Sequence, residues 1–349
     1  MDTIRVGFIG AGNICRDRHL PGLAKINDVK VVAVCNQSRQ SAAKIADEFD
    51  IPEVEQDWSR LVARDDLDAI FVCTWPNMHK QFSIAVLDAG KHCFCQARMA
   101  MDLRDAKQMF ATAQAHPNLV NMICPCPWPC EQYLRDVAHE GKLGQITSVE
   151  LISVGATNLD RTTIHWRERV ELSGHQAMAM GIFAETLNAL VGPYELLTAH
   201  KSTPIATKTD ESGLSQPIGV PQVITIAGQL ENGALAVEHH SGLAVDTSSC
   251  MLQITIRGLD GTLRYDFDQT MEFAAPDMPL EPVQVPDNGK SPWTVEEDFI
   301  CAVRAAQVGQ PPEDRSVRPD FAEGLLYMRK VQAVHLAADR RQAVRPSQL

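Results

Sequence analysis

Apolar residues in the first third of the chain fall in short unbroken runs, whereas in the last half they alternate with polar ones. The runs over 4–9, 29–35 and 67–74 are separated by segments of helical spacing. That pattern predicts strands buried on both faces of a parallel sheet, each followed by a helix. The helices are expected over 41–49 and 58–63, from Pro76 to a stop at Gly90, and from a capped start at Asp102-Leu103-Arg104-Asp105. A last strand over 118–124 closes this part. Beyond it, a proline- and cysteine-rich connector leads to a helix over 130–140, stopped by Gly141-Lys142-Leu143-Gly144. Alternating strands then follow over 146–153, 222–230, 234–239, 251–257 and 262–265, with turns at Glu231-Asn232-Gly233 and Leu259-Asp260-Gly261. A helix over 174–191, ended by Gly192-Pro193, interrupts them, and helices over 295–308 and 319–338 finish the chain. The pattern gives an α/β protein with two domains: a doubly wound parallel sheet over 1–123, and an α+β domain with a large, mainly antiparallel open sheet over 124–349.

Length and charge narrow the partners. A chain of 349 residues exceeds the size at which a single core keeps growing, which supports two domains. A formal net charge of −12, with no cluster of Lys and Arg, argues against nucleic acid and anionic membranes. The start runs directly into a strand without a signal-peptide pattern, and no apolar run approaches the roughly 20 residues of a membrane span. A cytoplasmic location and a small-molecule substrate are expected. Ten cysteines, several within apolar runs, then read as buried thiols. Cys124, Cys126 and Cys130 are spaced by prolines and lack a second ligand pair, so no metal site is expected.

The first strand runs into Gly10-Ala11-Gly12-Asn13-Ile14-Cys15 and then a helix carrying His19-Leu20-Pro21. Strand, glycine turn and helix in that order form a dinucleotide fingerprint of the Rossmann type. Gly10 permits the tight turn, and Gly12 lets the backbone approach a pyrophosphate at a positive helix start. Asn13 and Ile14 open that helix. The second strand ends at Asn36-Gln37-Ser38-Arg39, at the spacing of the ribose-selecting position. A carboxylate there favours NAD and repels a 2′-phosphate. Asn36 with Ser38 and Arg39 therefore points to NADP, with NAD as the alternative. At the same sheet edge lie Thr74, Trp75, Pro76, Asn77 and His79, and then Gln96-Ala97-Arg98 after the run 90–95. Thr74, Pro76, Asn77, His79, Gln96 and Arg98 complete the expected cofactor site.

With these motifs, Ala89-Gly90-Lys91-His92 and Met180-Gly181-Ile182, the chain resembles the Gfo/Idh/MocA oxidoreductase family over essentially its whole length. The resemblance implies a nicotinamide-dependent enzyme acting on a sugar, cyclitol or cyclic diol, whose open sheet supports a homodimer or homotetramer. It also exposes departures. The family's Glu-Lys-Pro stands here as Gln96-Ala97-Arg98, without its lysine or cis-proline. Its Asp and His on either side of the Gly181 position stand as Ala179 and Phe183. A substitute acid or base is therefore sought. If 174–191 is one helix, His175 and Phe183 lie about 40° either side of Ala179 and Gln176 about 60° away. His175, His165 and Arg98 are the catalytic candidates. Gln176, Trp75, Trp166, Arg167, Gln96 and Phe183 are expected to bind substrate. Two other readings stay open: a redox-neutral, nicotinamide-assisted lyase, hydrolase or epimerase, and a cofactor-binding homologue without activity.

Overall fold

A computed structural model describes residues 3–126, 131–246, 248, 250–267, 270–285, 293–311 and 317–349. Residues 127–130 of the proline and cysteine connector, with Cys130 among them, lie outside that set. The chain divides into two compact units, Met1–Pro125 with Thr294–Leu325, and Cys126–Trp293 with Leu326–Leu349.

In the first unit, β1 (Ile4–Ile9), β2 (Val29–Cys35), β3 (Glu53–Glu55), β4 (Ala69–Val72), β5 (His92–Cys95) and β6 (Asn121–Ile123) pair in parallel in the order β3-β2-β1-β4-β5-β6. Reversal of the order beside β1 creates a switch point, where the carboxyl ends of β1 and β4 part to leave a ligand crevice. Every residue of β4 and β5 is buried, as their unbroken apolar runs require. The connecting helices are α1 (Leu20–Leu23), preceded by a π-helical turn over Cys15–His19, α2 (Arg39–Glu48), α3 (Trp58–Val62), α4 (Pro76–Asp88) and α5 (Leu103–Ala115). Ser38, Asp57 and Asp102 accept backbone N–H groups at the starts of α2, α3 and α5, satisfying donors the helices leave orphaned.

The second unit holds α6 (Glu131–His139), β7 (Ile146–Val154), α7 (Val170–Ser173), α8 (Met180–Val191), β8 (Tyr194–Ser202), β9 (Thr207–Thr209), β10 (Ser215–Pro217), β11 (Val223–Leu230), β12 (Leu235–Ser241), β13 (Met251–Gly258), β14 (Thr262–Asp266), β15 (Thr270–Ala274) and β16 (Glu281–Pro282). Eight of these strands form one sheet in the order β16-β15-β14-β13-β7-β12-β11-β8. Only the β7–β12 pair is parallel. Along β11 and β12, buried residues alternate with partly or fully exposed ones, so one face packs and the other is open.

The compact units do not follow chain order alone, since Thr294–Leu325 returns to the first unit. There α9 (Val295–Gln307) sets Phe299 edge-on to Phe71 and Phe94, and Glu296 accepts from buried His19. The last helix, α10 (Phe321–Arg340), starts in the same segment. Nor is 174–191 one helix. Gly174 takes φ +66° and ends α7, Met178 takes φ +48°, and α8 starts only at Met180. Projection at helical spacing therefore does not hold for residues 175–179, and His175 and Gln176 share no helical face with Phe183. Among the described residues, no helix is long and apolar enough to cross a membrane.

Candidate functional site

The first unit carries the nucleotide end. Gly10 adopts φ +83°, and a Cβ there would stand 2.5 Å from Thr74 Cγ2, so the loop after β1 needs glycine both for its backbone and for its closeness to Thr74. A Cβ at Gly12 would meet nothing within 4 Å, which leaves the exposed loop room for a pyrophosphate over Gly12 and Asn13, with Ile14 leading into the helix. Asn36 Nδ2 donates to the Ala11 carbonyl at 3.1 Å and ties the end of β2 to this loop. Its Oδ1 and that of Asn77 are buried without hydrogen-bond partners among the described residues. Two orphaned acceptors at the switch-point edge fit ribose hydroxyls, and the whole arrangement fits a dinucleotide. Ser38 caps α2, and Arg39 at its first position is exposed without an ion pair among the described residues.

Two more loops meet this edge. Pro76 takes the first position of α4, where a missing N–H costs nothing. His79 is fully buried, with Nε2 2.9 Å from the Thr74 carbonyl oxygen and Nδ1 2.9 Å from that of Arg98. Burial lowers its pKa, so the neutral ring donates to one of these carbonyls at a time and braces the two loops against each other. His79 thus links the loops after β4 and β5 through their backbone carbonyls. Gln96 Oε1 accepts the Ala97 N–H at 3.0 Å, and the Arg98 side chain is buried. The Ala97–Arg98 peptide is cis, so the bend persists without the proline. Trp75 is 43% exposed.

The second unit carries a separate polar set. The exposed side chains of His165 and Arg167 flank Trp166, with the Arg167 guanidinium 4.3 Å above the indole. His175 stacks on His335 at 4.8 Å, and His335 Nε2 donates to the His175 carbonyl at 2.8 Å. His175 Nδ1 is buried with no hydrogen-bond partner among the described residues. Gln176 is fully buried with its amide against Met328, and so is engaged in packing. Phe183 is buried between Phe267, at 5.2 Å, and His240, at 6.5 Å.

Beside Phe183 lies a cluster that motif reading passes over. Glu238 accepts from Tyr194 Oη at 2.8 Å and from His240 Nε2 at 3.1 Å and forms an ion pair with Lys330 Nζ at 2.6 Å, all of them buried. Glu238 and His240 share a face of β12 because strand side chains alternate, while His239 points the other way and is partly exposed. A Glu-x-His pattern in a one-faced strand was the available signal. Among the described residues, no three His, Cys, Asp or Glu side chains gather to hold a metal.

Fold and glycine loop together define a dinucleotide-binding protein, and the comparisons with known proteins narrow the class. Residues 4–123, about a third of the chain, match the model of the Gfo/Idh/MocA oxidoreductase family with an NAD-binding Rossmann fold. It is 31% identical over 142 residues to a 4-carboxy-2-hydroxymuconate-6-semialdehyde dehydrogenase of Sphingobium sp. (40% of this chain), a match spanning only 44% of that relative. It is 25% identical over 270 residues to a 1,5-anhydro-D-fructose reductase of Ensifer adhaerens, covering 74% of each chain. The fold is that of a levoglucosan dehydrogenase solved in its apo form, with a TM-score of 0.86 and 19% identity over 99% of each chain.

Proposed function

We propose that the protein is an NADP-preferring oxidoreductase acting on a secondary alcohol, or the matching ketone, of a sugar or cyclitol. The observation that carries this reading is the Gly10–Gly12 loop, open over Gly12 and flanked by the orphaned acceptors of Asn36 and Asn77. The match of residues 4–123 to the oxidoreductase family and a relative named as a sugar reductase support the substrate class. NADP is favoured because Asn36 carries no charge to repel a 2′-phosphate and Arg39 is an unpaired cation one helix cap away. When bound, the nicotinamide supplies hydride acceptance or donation.

The chain's own residues bind, orient and move the proton. His175 is assigned as the acid/base, because its Nδ1 is buried without a partner while its backbone is pinned by His335. In alcohol oxidation that nitrogen takes the hydroxyl proton, and in ketone reduction it returns it. Arg98, held in the turn after β5, acts as a fixed cation that stays protonated. His175→Ala is expected to lower kcat on an identified polyol by about 10²–10⁴-fold with cofactor binding unchanged. Full turnover by the variant would remove His175 from the mechanism. A ratio of kcat/KM for NADP over NAD below one would remove the cofactor preference.

A further inference from the structure

The segment between β7 and α7 is fixed from below by a buried ion pair. Glu168, 1% exposed, accepts Lys208 Nζ at 2.6 Å and Asn158 Nδ2 at 3.0 Å on one oxygen, and the His165 N–H at 3.0 Å on the other. Lys208, itself buried, also donates to the Asn158 carbonyl at 3.2 Å. Withdrawing two charges from water adds little net stability, but it holds the segment in one geometry.

Two other acidic groups nearby are already engaged. Asp160 accepts the Thr162 N–H and hydroxyl, and Glu211 pairs with Arg169. Arg167 has no acidic partner among the described residues, and its guanidinium is laid over Trp166. Surrounding protein removes part of its solvent, and this burial lowers its pKa. An exposed guanidinium with no carboxylate partner has its planar fork available to an anion. His165 adds a second donor. Its Nδ1 accepts the Arg167 N–H at 3.3 Å, which leaves the proton of the neutral ring on Nε2. Burial, with the Arg167 charge added, lowers the pKa of His165 and keeps the ring neutral near pH 7.

We propose that His165 and Arg167 form a carboxylate-recognition site and that the substrate is a hexuronic acid or a related acidic sugar. The Arg167 fork takes both carboxylate oxygens, the His165 Nε2–H donates to one of them, and Trp166 holds the guanidinium in place. This assignment rests on the reading of the protein as a sugar oxidoreductase, but its test needs no turnover. Isothermal titration of the full-length protein with glucuronate, galacturonate, glucose and galactose is the experiment. A hexuronate is expected to bind roughly 10- to 100-fold more tightly than its parent hexose, and Arg167→Gln to remove that difference without shifting Tm. Equal affinity for acid and hexose, no binding of either hexuronate, or an unchanged preference in Arg167→Gln would overturn the site. So would a variant whose only loss is NADPH affinity, since the anion would then be a cofactor phosphate. Arg167-dependent hexuronate binding with no reduction of NAD(P) would leave the site standing and remove the oxidoreductase reading instead.

Discussion

Glu238 accepts from Tyr194 and His240 and pairs with the Lys330 ammonium, with every participant buried, so removing the carboxylate leaves the other three without a partner in the cluster. Burial alone would raise its pKa; Lys330 and the His240 bond outweigh burial and hold the carboxyl at about 2. Glu238→Gln is expected to destabilise the protein by about 3–5 kcal/mol in urea unfolding, because Lys330 is left charged and unpaired. The pair Glu238→Leu with Lys330→Met should cost less than either single change. His335 behaves differently. Burial, with His175 and Lys201 adding to it, lowers its pKa to about 4. Both groups titrate below their ordinary values when folded, so both contribute stability at neutral pH that is lost on acidification. For His335 the loss runs from about pH 6.5 down to about 4; for Glu238 it runs from about 4.5 towards 2. Urea midpoints recorded against pH in His335→Leu and Glu238→Gln should flatten in those two windows respectively.

At the scale of elements, the loop after β1 gives the sharpest expectation. Gly10→Ala forces a positive φ on an L-residue and drives its Cβ into Thr74, so cofactor affinity by fluorescence titration should fall at least about tenfold. Gly12→Ala meets no protein atom, so any loss there reports on the dinucleotide alone. The parallel strands were legible in sequence because burial on both faces leaves unbroken apolar runs, and the glycine loop because its geometry admits few residue types. β8 was not legible: the adjacent Leu196 and Leu197, and Lys201 on the side of Leu197 and Ala199, break its alternation in an edge strand. The break before α8 was hidden for another reason. The segment 175–179 has helix-compatible residues, and only the left-handed turns at Gly174 and Met178 end α7 and delay α8. The buried pairs Glu168–Lys208 and Glu238–Lys330 join residues distant in sequence, which no local pattern reveals. For the same reason the first unit's claim on α9 was invisible until Phe299 met Phe71.

At the scale of the whole molecule, the open face of the large sheet remains to be covered. Leu235 and Val237 on β12 are 62% and 47% exposed, and Ala227 on β11 is exposed beside them. We propose that a second copy of this chain packs on that face, since a strip of apolar side chains on a flat sheet is self-complementary about a two-fold axis. Light scattering after size exclusion is expected to give a dimer or tetramer, and Val237→Glu a smaller species. A monomeric parent would contradict the proposal.

The central claim, net nicotinamide redox chemistry on a sugar, is tested most directly by incubating the protein with NADP and a panel of hexoses, hexuronates and cyclitols and following the absorbance of the reduced nicotinamide. The account predicts stoichiometric accumulation of NADPH with at least one of them. Conversion of a substrate with no NADPH formed would contradict it and point to a redox-neutral reaction on the same scaffold.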